Sequence, residues 1–208
     1  MKLHLNKPGI RALGVAESFR QGQSRSVLAG VVMRSDFVID GVALGKTAVG
    51  GDDATASIVS LFRKLNRNDV NLIMVSGAIL SLYNIIDVDL LSRRTKLPVL
   101  CLTYKETAGI EGSIRRHFPE GAEKKLAAYK KLGKRLGVRL DTGHRIFVRT
   151  AAIDADAAKA VCNSFTLQGS IPEPVRVAKL LARAAQPRRS LHWGSATPSG
   201  RKGTSFRA

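Results

Sequence analysis

Acid is what this chain is short of. Sixteen Asp and Glu stand against 34 Lys and Arg, leaving a net charge of +18. A field of that sign attracts nucleic acid, anionic membrane surfaces or acidic proteins. Cysteine is scarcer still. Cys101 and Cys162 are the only two in the chain, which excludes a disulfide framework and a cysteine-built zinc site. Four histidines show no metal-ligand spacing. Aromatic residues make up 5% of the chain, too few for an extended base-stacking platform. No apolar run approaches the roughly 20 residues needed to span a bilayer. The opening MKLHLNKPGIRALG has no signal-peptide core, so a cytoplasmic protein without a membrane partner is expected.

With 44% hydrophobic and 24% charged residues, the 208-residue chain has a globular composition and enough length for one sizeable core. No internal repeat interrupts it. A single domain over 1–186 is expected, followed by a disordered basic tail over 187–208, rich in Gly, Ser, Pro and Arg.

Three extended segments come first, at 10–17, 24–34 and 36–49, and their short connections favour antiparallel pairing. Ile58, Leu61, Phe62 and Leu65 then fall at helical spacing, with Asp52 or Asp53 as N-cap. Strands at 70–76 and 98–104 flank a helix at 87–95. A basic helix over 122–136, a hairpin-like pair over 138–150 and helices at 154–166 and 173–186 complete the pattern. A meander followed by βαβ crossovers is the order of a ribonuclease H-like α/β domain, a mixed sheet flanked by helices. Cys101, inside PVLCLTY, is expected to be a buried thiol.

Gly45-Lys46-Thr47 invites comparison with a phosphate-binding loop. The spacing fails, because Asp40 stands where the first glycine belongs and the segment continues as a strand. Ser76 ends a buried strand, where open α/β sheets place ligands, yet no Gly-x-Ser-x-Gly elbow surrounds it. The basic helix is the stronger signal. Leu126, Tyr129, Leu132 and Leu136 cluster on one side, with Lys124, Lys130, Lys131, Lys134 and Arg135 mostly on the other. With Arg188 and Arg189 of the tail, these cations suit phosphates of DNA or RNA without reading sequence. In GSIPEPVRVAKLLARAA, Ser170 or Glu173 can serve a helix N-terminus, and Arg176 and Lys179 can present charge to a neighbouring site.

The segments KPGIRALGV, GGDDAT, SGAILSLYNIID, TKLPVLCL and IPEPVRVAKL together resemble a mainly archaeal family, the domain of unknown function number 99. That family is a relative of endonuclease V with a ribonuclease H-like fold. The resemblance runs from about Lys7 to Ala185. It implies an endonuclease V-like domain whose carboxylates hold magnesium or manganese on adjacent strands. This chain departs from the pattern where the metal would sit. The family closes its first strand on two aspartates, where Ala16 and Glu17 stand here. Gly50 replaces the aspartate of the third-strand motif, Ser76 that of the later strand, and Lys179 a histidine of the last helix. Glu17, Asp53, Thr55, Asn84, Asp87, Glu173 and Arg176 remain. The resemblance therefore implies a vestigial site, with no catalytic residue, metal or cofactor expected, on a protein that still binds nucleic acid. Two alternatives stand beside it. One is an active magnesium or manganese nuclease rearranged around Glu17, Asp53 and Asp87. The other is a module that binds an acidic protein.

Overall fold

The computed structural model of the protein describes residues 9–106 and 109–187. Arg188, Arg189 and the tail beyond lie outside the described residues. Three strands open the fold: β1 (Arg11–Ser18), β2 (Arg25–Arg34) and β3 (Ile39–Ala48). They form the expected antiparallel meander. Helix α1 (Ala54–Lys64) leads to β4 (Leu72–Ser76), a small hairpin of β5 (Ile79–Leu80) and β6 (Asn84–Ile85), and α2 (Val88–Thr95). Strand β7 (Val99–Thr103) precedes α3 (Glu111–His117) and α4 (Ala122–Lys131). The chain closes with β8 (Leu136–Arg139), β9 (Arg145–Ala151), α5 (Ala155–Ser164) and α6 (Glu173–Ala184).

Seven strands form one mixed sheet in the order β3-β2-β1-β4-β7-β9-β8. The parallel pairs, β1 with β4 and β4 with β7, lie at its centre. A central parallel strand is buried on both faces, which explains the unbroken apolar run LIMV of β4. Strand β1 shows the two faces separately. Leu13 and Val15 join the core beneath α1 and α2, whereas Ala12 and Ala16 pack on the opposite side. That opposite side carries α5 and α6 through Ala158, Val161, Phe165, Val175 and Ala178. Each fully buried large side chain such as Phe165 contributes about 1.5–3 kcal/mol.

Gly14 fixes the distance between α6 and the sheet. A Cβ there would lie 2.2 Å from the carbonyl carbon and oxygen of Pro174, so backbone rests on backbone. Helix starts are set by local chemistry. Asp87 accepts from Leu90 N at 2.9 Å and Asp154 from Ala157 N at 2.8 Å, caps each contributing about 1 kcal/mol. Cys101 is buried as expected, and burial pushes its thiol up to about 12.

Two local expectations need correction. The basic helix ends at Lys131 rather than 136, because Gly133 takes a positive φ of 63° and Leu136 enters β8. Asp53 occupies the N-cap position of α1 but makes no side-chain cap. Its carboxylate turns back to β3, and Asn84 Oδ1 accepts from Ala54 N at 2.9 Å instead. Glu173 serves the N-terminus of α6 as its first residue and first-turn acid, with Pro172 at the N-cap.

Candidate functional site

The parallel register of β1 and β4 pairs Ala12 with Leu72 and Val15 with Val75. One further step along this ladder sets Ala16 against Ser76. The two positions therefore adjoin at the carboxyl end of the central strands. Ala16 is fully buried and packs against Val31 and Ala178, so α6 roofs this position. Ser76 is half-buried at the strand end. Tyr104 lies nearby, and burial pushes its phenol up despite the opposing influence of the Ser76 hydroxyl. The phenol oxygen finds no partner within hydrogen-bond geometry. Lys179 stands one residue beyond Ala178 on α6, half-buried and without a hydrogen bond or ion pair to a described residue.

The surviving acids do not converge on this point. Glu17 faces the other side of β1, by the same alternation that buries Leu13 and Val15. Its Oε1 accepts from Ser81 N at 3.1 Å and its Oε2 from the Ser81 hydroxyl. Ser81 and Ser26 also share a hydroxyl–hydroxyl bond of 2.7 Å. Asp53 is saturated. It accepts from Thr47 Oγ1 at 2.8 Å, Ala48 N at 3.0 Å, Asn84 Nδ2 at 2.7 Å and Ser57 Oγ at 3.3 Å. Burial raises the Asp53 pKa, and these hydrogen bonds more than reverse that, so its net shift is downward. Asp87 caps α2 and pairs with Lys131 Nζ at 2.7 Å. Glu173 is buried, with Oε2 accepting from Arg176 Nε at 2.8 Å and Oε1 unpartnered. Thr55 Oγ1 accepts from Asp87 N at 2.9 Å. Gly50, at φ +70°, turns the chain after β3 and donates its N–H to Ser81 O at 2.8 Å.

Glu17, Asp53, Asp87, Asn84, Thr55 and Gly50 are thus joints among β1, β3, α1, the β5–β6 hairpin and α2, whereas Glu173 pairs within α6. Among the described residues no three His, Cys, Asp or Glu side chains group to hold a metal ion. Magnesium and manganese require hard anionic oxygens, and Ala16 supplies none while Ser76 supplies a neutral hydroxyl. The residues present do not fit such a metal.

The basic helix is less free than its sequence suggests. Lys124 pairs with Asp52 at 2.7 Å and Lys131 with Asp87 at 2.7 Å. The pair of lysines on Asp52 holds its carboxyl below the usual range, Lys124 first among the causes. Arg135 donates to Lys105 O at 3.2 Å and lies over the Phe147 ring. Lys130 and Lys134 are exposed and carry no ion pair with a described residue. Lys125, absent from the charged face read in the sequence, is buried. Its ammonium donates to Gly51 O at 2.9 Å, Asp52 Oδ1 at 2.9 Å and Tyr83 O at 3.2 Å, 4.7 Å from the Phe118 ring centroid. Its helical position beside Leu126 and Tyr129 is the signal that places it inward.

The roofed strand ends and crossing helices are those of an endonuclease V-like fold. Endonuclease V from Streptomyces avermitilis matches with a TM-score of 0.59 at 20% identity, covering 86% of this chain and 82% of its own. Endonuclease V from Ciona intestinalis, in complex with DNA containing an inosine, matches with a TM-score of 0.56 at 13% identity, covering 85% of each chain. A protein of unknown function from Archaeoglobus fulgidus reaches 0.70 at 22% identity, covering 86% and 98%. Likeness at these identities shows the fold. The sequence is more specific: the endonuclease dU family matches residues 8–186, and the chain belongs to it. A UPF0215 protein from Pyrobaculum aerophilum is 38% identical over 178 residues, 84% of this chain and 93% of its own. One from Thermoplasma volcanium is 34% identical over 182 residues, 86% and 91%. No helix among the described residues is long and apolar enough to cross a membrane.

Proposed function

We propose that this protein is a cytoplasmic member of the endonuclease dU family that binds DNA or RNA through basic surfaces and has lost most or all metal-dependent strand cleavage. One observation carries the second half: Ala16 and Ser76 adjoin at the carboxyl ends of β1 and β4, and among the described residues no three His, Cys, Asp or Glu side chains group to hold a metal ion. In related enzymes, by the resemblance drawn from the motifs, these positions hold the central metal ligands. Cleavage rearranged around Glu17, Asp53 and Asp87 lacks a common centre, because each is held by a different set of partners. By the same resemblance, Lys179 stands where relatives carry a histidine, which would set a cation beside two uncharged positions. That combination repels a metal ion and attracts a phosphate.

The binding half rests on charge. With +18 overall and Lys130 and Lys134 exposed and unpaired, the surface can neutralise phosphates by counterion release. The likeness to an endonuclease V seen with DNA points the same way. Fluorescence anisotropy with a labelled deoxyuridine-containing single strand tests it. Binding with a Kd on the order of micromolar, falling steeply with salt, is expected. Lys130→Gln with Lys134→Gln should flatten the log–log salt slope by about 1.4 for a single strand. Absence of strand binding refutes the proposal, and an unchanged slope in the double variant removes α4 and the α4–β8 turn from the interface.

A further inference from the structure

A second site lies away from residues 16 and 76. Between α4, the start of α2 and β9 a cavity of about 210 Å³ opens, bordered by Lys131, Lys134 and Arg149. Its apolar wall comes from Ile86, Val88 and Leu132. Arg149 is the unusual member. It pairs with Cys101 across the β7–β9 ladder and so emerges on the face that buries Val99 and Cys101. It is only partly exposed, and no carboxylate lies within ion-pair distance of it among the described residues. Its Nε donates to Gly133 O at 3.3 Å, and the Tyr129 hydroxyl is its other polar neighbour. Burial lowers its pKa and the nearby Arg135 adds to this, while Tyr129 opposes the shift without cancelling it. A guanidinium drawn out of water without an anion is costly unless a ligand supplies one. The two acids at the rim do not fill that role. Asp87 is committed to Lys131 and the α2 cap, and Asp89 is exposed in the first turn of α2.

We propose that this cavity receives the phosphate of a nucleotide unit. Arg149 grips the phosphate oxygens, Lys134 closes on them from the α4–β8 turn, and the apolar wall takes the sugar or base edge. Guanidinium suits phosphate because its forked donors match two oxygens at once. The small volume suits one compact group rather than a duplex. The choice of phosphate as the anion rests on the nucleic-acid reading above and deepens it. A free mononucleotide and the end of a strand share this chemistry.

Calorimetric titration of the full chain with uridine monophosphate, and separately with uridine, tests the assignment. The monophosphate should bind and the nucleoside should bind at least about tenfold more weakly, as a charge-assisted bidentate contact requires. Arg149→Met, which keeps the apolar stem, should weaken the monophosphate about tenfold, and Lys134→Gln about threefold. Arg149→Lys should recover part of the loss. Equal binding of nucleotide and nucleoside overturns the proposal, as does unchanged affinity in Arg149→Met. Should Arg149→Met fail to fold, Lys134→Gln decides by the same comparison, unchanged affinity again being the adverse result. Strands with and without a 5′ phosphate separate the two sources. An advantage of the phosphorylated strand that vanishes in Arg149→Met places a strand end in the cavity. Arg149 dependence confined to the monophosphate assigns a free nucleotide. If no strand binds while the monophosphate still depends on Arg149, the nucleic-acid reading fails and this site stands. Strand binding that survives beside an Arg149-independent monophosphate has the opposite meaning.

Discussion

Gly14→Ala should be among the most damaging single-methyl additions to this fold. The new Cβ would lie 2.2 Å from Pro174 C and O and 2.7 Å from Val175 N. Those atoms belong to the backbone at the start of α6, so no side-chain rotation relieves the clash. Either α6 lifts from β1 or β1 bends. Overpacking of this kind costs roughly 3 kcal/mol, offset by about 0.5–1 kcal/mol because alanine loses less backbone entropy than glycine on folding. The net is about 2–2.5 kcal/mol, or roughly 4–10 °C in Tm for a domain of this size. Two other strand glycines calibrate the effect. At Gly45 the nearest atom to an added Cβ is Leu61 Cδ1 at 3.4 Å, and Gly45→Ala should be nearly neutral. At Gly30 it is Leu61 Cδ2 at 3.0 Å, the end of a flexible side chain, and Gly30→Ala should fall between. Thermal unfolding followed by circular dichroism measures all three. A Gly14→Ala protein no less stable than Gly45→Ala would refute the backbone contact that sets α6, and with it the roof over Ala16.

Three further outcomes follow from the same contacts. Asn84→Ala should cost about 3 kcal/mol by chemical denaturation, because it strips a buried cap from Ala54 N and a donor from Asp53 and Ala48 O. Asp69 is held at about 2, below its ordinary 3.8, chiefly by the Arg67 hydrogen bond. A depressed folded-state pKa stabilises above the unfolded value and is lost as pH falls through the folded one. Asp69 is well exposed to solvent, so the contribution is about 1 kcal/mol or less. Asp69→Asn should therefore lower stability at neutral pH by that amount and converge with the unaltered protein as pH drops towards 2 in acid titrations. Ala16→Asp with Ser76→Asp should lower Tm without metal, since two carboxylates in this buried corner repel, and manganese should restore part of the loss. No manganese-dependent shift in that variant would mean that the scaffold no longer frames a metal site.

The fold was legible where periodicity and length were strong. The meander, the run LIMV and the amphipathic α1 and α6 each carry a pattern long enough to read, and they bring positions 16 and 76 together. What escaped was short or non-local. Strands β5 and β6 have two residues each, too few for any alternation. Helix α3 spans Glu111–His117, contains Gly112 and buries only Ile114. The partners of Glu17 and Asp53 are set by tertiary contact: Ser81 lies 64 residues from Glu17, and Asn84 lies 31 from Asp53. For the same reason the sequence showed a basic helix but not that Asp52 and Asp87 answer three of its lysines.

The central proposal is that the end of β1 and β4 no longer cuts a strand. Single-turnover incubation of the unaltered protein with labelled deoxyuridine- and inosine-containing strands, in manganese, tests it most directly, with Glu17→Gln run beside it. The account predicts product no greater than in the protein-free control for either protein. Robust cleavage by the unaltered protein, abolished in Glu17→Gln, would contradict it and show that Glu17 has taken over the chemistry from the face opposite Ala16.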